Sequence, residues 1–262
     1  MDVTQTVYLN IAGFNIQIFF HKTKWEFVYK KFIKETFKYY QGFINQNKPR
    51  KIDYFIDLKE TSSLLTIIKK PQSYFFNLFD KLGKNRIATF YQISLIQFQM
   101  ILREILLELL ANNQGFIMHG SAVGKDNIGY IFTGRNGAGK STAMNLINPK
   151  YSALADDTVI IKKENGRYYL YQTPFIEKNN WVKKGQKRYL INKIFFLRKA
   201  KFYKIDKIDN KNLLTQKLIS QFWTKDEIKN KQFKTLMKFI SQFNSFYYLY
   251  FAKNRNKLRA LL

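Results

Sequence analysis

Gly134-Arg135-Asn136-Gly137-Ala138-Gly139-Lys140-Ser141-Thr142 is the stretch on which the reading of this chain turns. It fits the pattern G-x-x-x-x-G-K-[ST] without a mismatch. Its glycines let the backbone curl so that several N–H groups point inward at phosphate oxygens. Lys140 would place its ammonium on the β- and γ-phosphates, and Ser141 would give its hydroxyl to Mg²⁺. A helix expected from about Ser141 to Ile147 adds its positive N-terminal end. The pattern therefore predicts a nucleotide cradle built from Gly134, Asn136, Gly137, Ala138, Gly139, Lys140, Ser141 and Thr142, with ATP and Mg²⁺ as cofactors.

Working outward, an apolar strand from Ile128 to Phe132 feeds directly into this loop. Before it lies a β-rich passage, Phe116 to Val123, containing His119-Gly120-Ser121-Ala122-Val123 and ending in a turn at Gly124–Asn127. About fifteen residues past the loop comes Ala155-Asp156-Asp157, then strands at Thr158–Lys162 and Tyr168–Gln172 around an Asn165-Gly166 turn. Ile194–Leu197 reads as another strand. Helical spacing appears at Leu214, Leu218 and Phe222, and again at Phe233, Leu236, Ile240 and Phe243.

The loop alone resembles that of ABC transporter ATPases, but the chain contains no Leu-Ser-Gly-Gly-Gln signature. The order His-Gly-x-x-x, turn, strand, phosphate loop, helix, Ala-Asp-Asp, strand instead resembles the catalytic core of the HPr kinase/phosphorylase family and its HPr-kinase-like relatives. The motifs run from His119 to about Ile161, and Thr173-Pro174-Phe175 is a weaker likeness. The resemblance implies an α/β fold of HPr-kinase/PEP-carboxykinase type. That is a P-loop kinase core with a mixed central β-sheet flanked by helices, here preceded by an α+β N-terminal region. The Arg-Gly-Leu-Gly stretch of the HPr enzyme is missing after the acidic pair, so HPr itself is not the implied substrate.

The resemblance also implies roles. Asp156 would be the general base for an attacking hydroxyl, Asp157 would join Ser141 on Mg²⁺, and the two could exchange. His119 and Lys140 would stabilise the transferring group. Glu177 is a candidate third metal ligand. The function implied is ATP-dependent phosphorylation of a serine hydroxyl in a protein or peptide, some relatives being modifiers of ribosomally made peptides. A small-molecule kinase of the same fold, and a P-loop ATPase with an anionic, nucleic-acid partner, are the alternatives. Nucleic acid is disfavoured without being ruled out, and a homo-oligomer stays open.

Composition sets the outer bounds. The 262 residues carry 45 Lys plus Arg against 18 Asp plus Glu, a formal net charge of +27, and 46% are hydrophobic. That apolar content supports a packed core. Cysteine is absent, which excludes disulfides and thiolate chemistry, and the two histidines, His21 and His119, exclude a three-histidine metal site. Lysines number 36 and arginines 9, alongside abundant Asn, Ile, Phe and Tyr, so AT-rich codon usage accounts for much of the charge. The excess concentrates late, with net +19 over residues 162–262.

The N-terminal region reads as Val7–Phe20 strands around a turn at Ala12–Asn15, a helix at Trp25–Tyr40, short strands at Tyr54–Leu58 and Leu64–Ile68, and a strand at Ile87–Tyr91. Apolar residues at Leu95, Phe98, Leu102, Ile105 and Leu109 mark an amphipathic helix rather than a membrane span. Asn112-Asn113-Gln114-Gly115 ends it, giving expected domains of 1–112 and 113–262. Met1–Gln5 shows no signal-peptide pattern, so the expected location is the cytoplasm, with no membrane partner.

Overall fold

Alternation of apolar and polar residues dominates both halves of the chain, and sheets result. In a computed structural model, residues 3–24, 26–60, 67–70, 73–177, 179 and 181–262 are described. The chain forms two compact units, Met1–Leu106 and Leu107–Leu262.

The first unit contains β1 (Val3–Ile11), β2 (Phe14–His21), α1 (Glu26–Tyr40), β3 (Ile44–Asn45), β4 (Tyr54–Lys59), β5 (Ile67–Lys70), β6 (Ser73–Phe76), β7 (Asp80–Gly83), β8 (Arg86–Phe90) and the start of α2 (Leu95–Asn112). Its six-stranded sheet runs β3-β1-β2-β4-β8-β7, with β2, β4 and β8 mutually parallel. Leu9, Ile16, Ile18, Ile56, Leu58 and Ile87 are fully buried in it. α2 begins with a reciprocal cap: the Gln97 N–H donates to Ser94 Oγ (3.2 Å) and the Ser94 N–H donates to Gln97 Oε1 (2.8 Å). Two orphan N–H groups are satisfied at once. Of the strand expected at Leu64–Ile68, residues 64–66 lie outside the described residues, and Ile67 and Ile68 open β5.

The second unit contains β9 (Gly115–His119), β10 (Ser121–Lys125), β11 (Ile128–Thr133), α3 (Lys140–Ile147), β12 (Ser152–Ala155), β13 (Thr158–Glu164), β14 (Arg167–Gln172), β15 (Arg188–Lys199), β16 (Lys204–Lys207), α4 (Lys211–Ile219), α5 (Lys229–Gln242), β17 (Phe246–Phe251) and α6 (Arg255–Leu261). These strands form one nine-stranded sheet along the path β12-β10-β11-β15-β14-β13-β9, with β17 beside the later part of β15 and β16 beside β17. β11, β15 and β17 are parallel, and the remaining pairs are antiparallel.

The period of two sorts the side chains onto two faces. Ile131, Ile194, Phe196 and Phe246 face a core closed by Leu214 and Leu218 of α4 and Leu236, Phe239 and Ile240 of α5. Their neighbours Phe132, Phe195, Leu249 and Phe251 face Ala143, Met144 and Ile147 of α3 and Leu258 of α6. The fold is therefore mixed α/β, with helices on both faces of a mixed sheet.

The sheet also curls, because its two outer ends are stitched together. Gly120 alone separates β9 from β10, and Asp156-Asp157 alone separates β12 from β13. Each crossing links strands that lie far apart along the sheet path. The β-rich passage expected from Phe116 to Val123 is two strands, broken at Gly120. A Cβ there would stand 3.1 Å from the Phe132 carbonyl oxygen and 3.2 Å from Ile131 Cγ2, so a side chain at this crossing would press on β11. The second departure is Phe222: α4 stops at Ile219, and Phe222 forms a bridge to Met118 instead. β12, β16, β17 and α6 are additional to the expected elements.

Candidate functional site

The 134–142 loop leaves the C-terminal end of β11 and enters α3. Gly134, Gly137 and Gly139 all take positive φ, at 142°, 77° and 98°. Gly139 is the N-cap of α3, and a Cβ on it would meet Phe251 Cζ at 3.0 Å, so backbone conformation and packing both require glycine there. Arg135, Asn136 and Gly137 form the exposed tip of the loop, while Lys140, Ser141 and Thr142 are half-buried on the first turn of the helix. The Ala138 N–H donates to the Arg135 carbonyl at 3.0 Å, tightening the curl. Lys140 Nζ turns back over the loop and donates to the Gly134 oxygen at 3.0 Å and the Arg135 oxygen at 3.4 Å.

The root of the loop is tied to both sheet crossings. Thr133 Oγ1 donates to the His119 carbonyl at 3.0 Å, and the Gly120 N–H donates to the Asp157 carbonyl at 2.9 Å. His119 Nδ1 stands 3.9 Å from Asp157 Oδ1, and both side chains are 40% exposed. Three sequence motifs that are separate in the chain therefore share one end of one sheet.

The adjacent aspartates sit in different surroundings. They occupy the bend between β12 and β13 rather than a strand end. Asp156 is buried, at 4% exposure. Its Oδ1 accepts from Ser121 Oγ at 3.3 Å, its carbonyl accepts from the same hydroxyl at 2.9 Å, and its Oδ2 accepts from Asn179 Nδ2. Asp157 is the open member.

Glu177 fixes the bend that presents the pair. Its Oε2 accepts from the N–H groups of both Asp156 (2.8 Å) and Asp157 (3.0 Å), and its Oε1 is ion-paired with Lys184. Lys184 Nζ also donates to the Thr173 carbonyl at 2.9 Å. Burial pushes the Lys184 pKa below the ordinary lysine value, against the opposing pull of Glu177 and Asp157. Glu177, whose side chain is 4% exposed, spends its oxygens on this clamp. In these contacts it acts as a positioning residue for the acidic bend.

Among the described residues, no group of three or more His, Cys, Asp or Glu side chains is arranged to hold a metal ion. The donor set nevertheless suits Mg²⁺ carried on a nucleotide, because Mg²⁺ takes few protein ligands and completes its shell with phosphate oxygens and water. The loop, with an open exposed tip, a cationic lysine and the N-terminus of α3, suits the phosphates themselves.

Ser121, Asn179, Lys184 and Trp223 enter this site without having been singled out. Ser121 lies inside the His-Gly-Ser run and carried a signal. Lys184 is one of 36 lysines and carried none.

No helix among the described residues is long and apolar enough to cross a membrane. No curated protein matches the chain. A solved structure titled "Structure of the Hpr(Ser) kinase/phosphatase from Coxiella burnetii" is similar at 13% identity, over 55% of this chain and 89% of that one, with a TM-score of 0.30. The profile of the family described as "SynChlorMet cassette protein ScmC" matches residues 87–238, more than half of the sequence, spanning the 134–142 loop, both sheet crossings, the Glu177 clamp and α4. The chain belongs to the ScmC family.

Proposed function

We propose that the Leu107–Leu262 unit is an ATP-dependent kinase that phosphorylates a serine hydroxyl in a protein or peptide. The observation that carries this reading is the convergence of the loop root at Thr133, the His119 crossing and the open Asp157 at one end of one sheet. ATP, when bound with Mg²⁺, supplies an electrophilic γ-phosphorus and ADP as the leaving group.

This chain's residues do the rest. The inward N–H groups of the loop and the α3 N-terminus hold the phosphates, and Lys140 exchanges its main-chain oxygens for phosphate oxygens. Ser141 is the protein ligand offered to Mg²⁺. Asp157, being open and beside His119, orients the acceptor hydroxyl and takes its proton as the oxygen bonds to phosphorus. The expected roles of the aspartates thus exchange: Asp156 is the buried buttress, held by Ser121 and Asn179. His119, next to Asp157, can donate a hydrogen bond to the transferring group.

Incubation with γ-labelled ATP and serine peptides tests the reading. Label on serine is the expected result. ATP hydrolysis stimulated by DNA or RNA, with no labelled acceptor, overturns it.

A further inference from the structure

One side of the open Asp157–His119 pair is neither charged nor basic, although the unit carries most of the chain's positive excess. Residues 221–223 run along β9 as an added edge. The His119 N–H donates to the Gln221 carbonyl at 2.7 Å, Phe222 bridges Met118, and the Trp223 N–H donates to the Ile117 carbonyl at 3.1 Å. These bonds deliver the half-buried Trp223 ring to His119, edge-on, with centroids 5.0 Å apart and planes at 65°. Phe175 stacks on Trp223 at 6.2 Å with planes 9° apart. Phe175 comes from the same segment as Glu177, so the clamp that fixes the acidic bend also fixes this ring. Ile176 and Trp181 of that segment are 48% and 41% exposed.

We infer that Trp223 and Phe175 form a shelf for the acceptor, and that the acceptor is a peptide bearing an aromatic or large aliphatic side chain close to its phosphorylated serine. The inference rests on the kinase reading and adds the substrate class to it. Three observations support it.

Asp156 has its carboxylate engaged, so an incoming hydroxyl meets Asp157 and His119, and Trp223 is the ring against His119. An extended peptide advances about 3.3–3.6 Å per residue. Spacings of 5.0 and 6.2 Å between successive rings therefore lie within reach of the side chains next to the serine. Flat aromatic surfaces held rigid by main-chain bonds bind apolar side chains with little loss of rotamer freedom, and stacked rings favour a further ring. Glu177, the carboxylate two residues beyond Phe175, is ion-paired with Lys184, so it does not stand free beside the rings to select basic neighbours.

The test is a set of serine peptides with Phe, Leu, Gly, Asp or Lys placed in turn at each neighbouring position, assayed with γ-labelled ATP against wild type, Trp223→Ala, Trp223→Phe and Phe175→Ala. The quantity read is the ratio of kcat/KM for Phe-flanked over Gly-flanked peptide, which cancels any common effect on His119. Wild type is expected to favour Phe by about 10- to 100-fold at one or two positions. Trp223→Ala and Phe175→Ala should bring that ratio near one, Trp223→Phe should restore most of it, and the KM for ATP should stay constant.

A flat preference in wild type overturns the shelf while leaving the kinase intact, and so does a preference for Asp-flanked peptides. A rise in the KM for ATP in Trp223→Ala with the Phe preference retained assigns the ring to the adenine and likewise overturns it. Absence of label on every peptide, with ATP still bound, removes the kinase reading and the shelf together.

Discussion

Asp57 in the first unit and Asp157 in the second each stand beside one of the chain's two histidines, yet the surroundings differ in what they leave over. Asp57 has a side chain only 1% exposed and is fully subscribed. Arg86 donates through Nε to Oδ2 (2.6 Å) and through Nη2 to Oδ1 (2.9 Å), while His21 Nε2 lies 2.7 Å from Oδ1. The Arg86 guanidinium is flanked by the rings of Phe19 and Phe55 at 5.5 and 5.8 Å, and Tyr91 Oη donates to the His21 carbonyl at 2.7 Å. The carboxylate is sealed from solvent. His119 lies 3.9 Å from Asp157, beyond hydrogen-bonding distance, and both are open to an incoming group. A satisfied buried carboxylate holds strands together, and an exposed one near the 134–142 loop is available for chemistry.

The widest separation of the two regions comes from the acidic bend. Asp157→Asn should lower phosphoryl transfer by about 10²–10⁴-fold, the range for loss of a positioned general base, with little change in melting temperature. Asp156→Asn should instead destabilise the unit by about 1–3 kcal/mol, because a neutral amide accepts more weakly from Asn179 Nδ2 and turns its NH2 onto the Ser121 hydroxyl inside a buried network. Label transfer and thermal melts on the same preparations check both. Equal transfer losses with equal melts would erase the distinction between buttress and base. Lys140→Ala should weaken ATP binding by about 30-fold or more in calorimetry, because it removes the cation offered to the phosphates.

Much of the open site is legible in the sequence because phosphate binding demands glycine and lysine at fixed spacing, and the strand-loop-helix around Gly134–Thr142 follows from that pattern. The two sheet crossings are not legible. Gly120 and Asp156-Asp157 carry no local mark of a crossing, and only the pairing of β9 with β13 and of β10 with β12 makes them neighbours. The Glu177–Lys184 clamp is hidden for a different reason, since one useful lysine among many carries no local signature. The same limit applies to the sealed cluster. His21 is buried against Asp57, and its partners Asp57 and Arg86 are brought together only by the parallel order β2-β4-β8.

Breaking the sealed cluster should reverse the pattern seen at the open one. Asp57→Asn removes the charge that faces Arg86 and should lower unfolding stability by about 2–3 kcal/mol, below the range for a wholly buried pair because the Arg86 side chain is 46% exposed. ATP affinity should be unchanged. Urea unfolding followed by fluorescence, with calorimetry alongside, measures the two effects. A loss of ATP binding without a stability change would mean that this cluster also serves the nucleotide.

The smallest effect is the most specific to the sealed carboxylate. Burial works to raise the Asp57 pKa, but the Arg86 and His21 hydrogen bonds and charges outweigh it, and the folded value lies below the ordinary carboxylate range. Between the folded value and the unfolded one of about 3.9, the unfolded chain binds more protons, so stability rises with pH in that window. The contribution is complete above the unfolded value and drains away as pH falls through the folded one. Urea midpoints measured from neutral pH down through this window should therefore fall more steeply for wild type than for Asp57→Asn, which has no proton to gain at that position. Parallel slopes would show that Asp57 is not stabilised in its charged form, and the contrast with the open Asp157 would then rest on exposure alone.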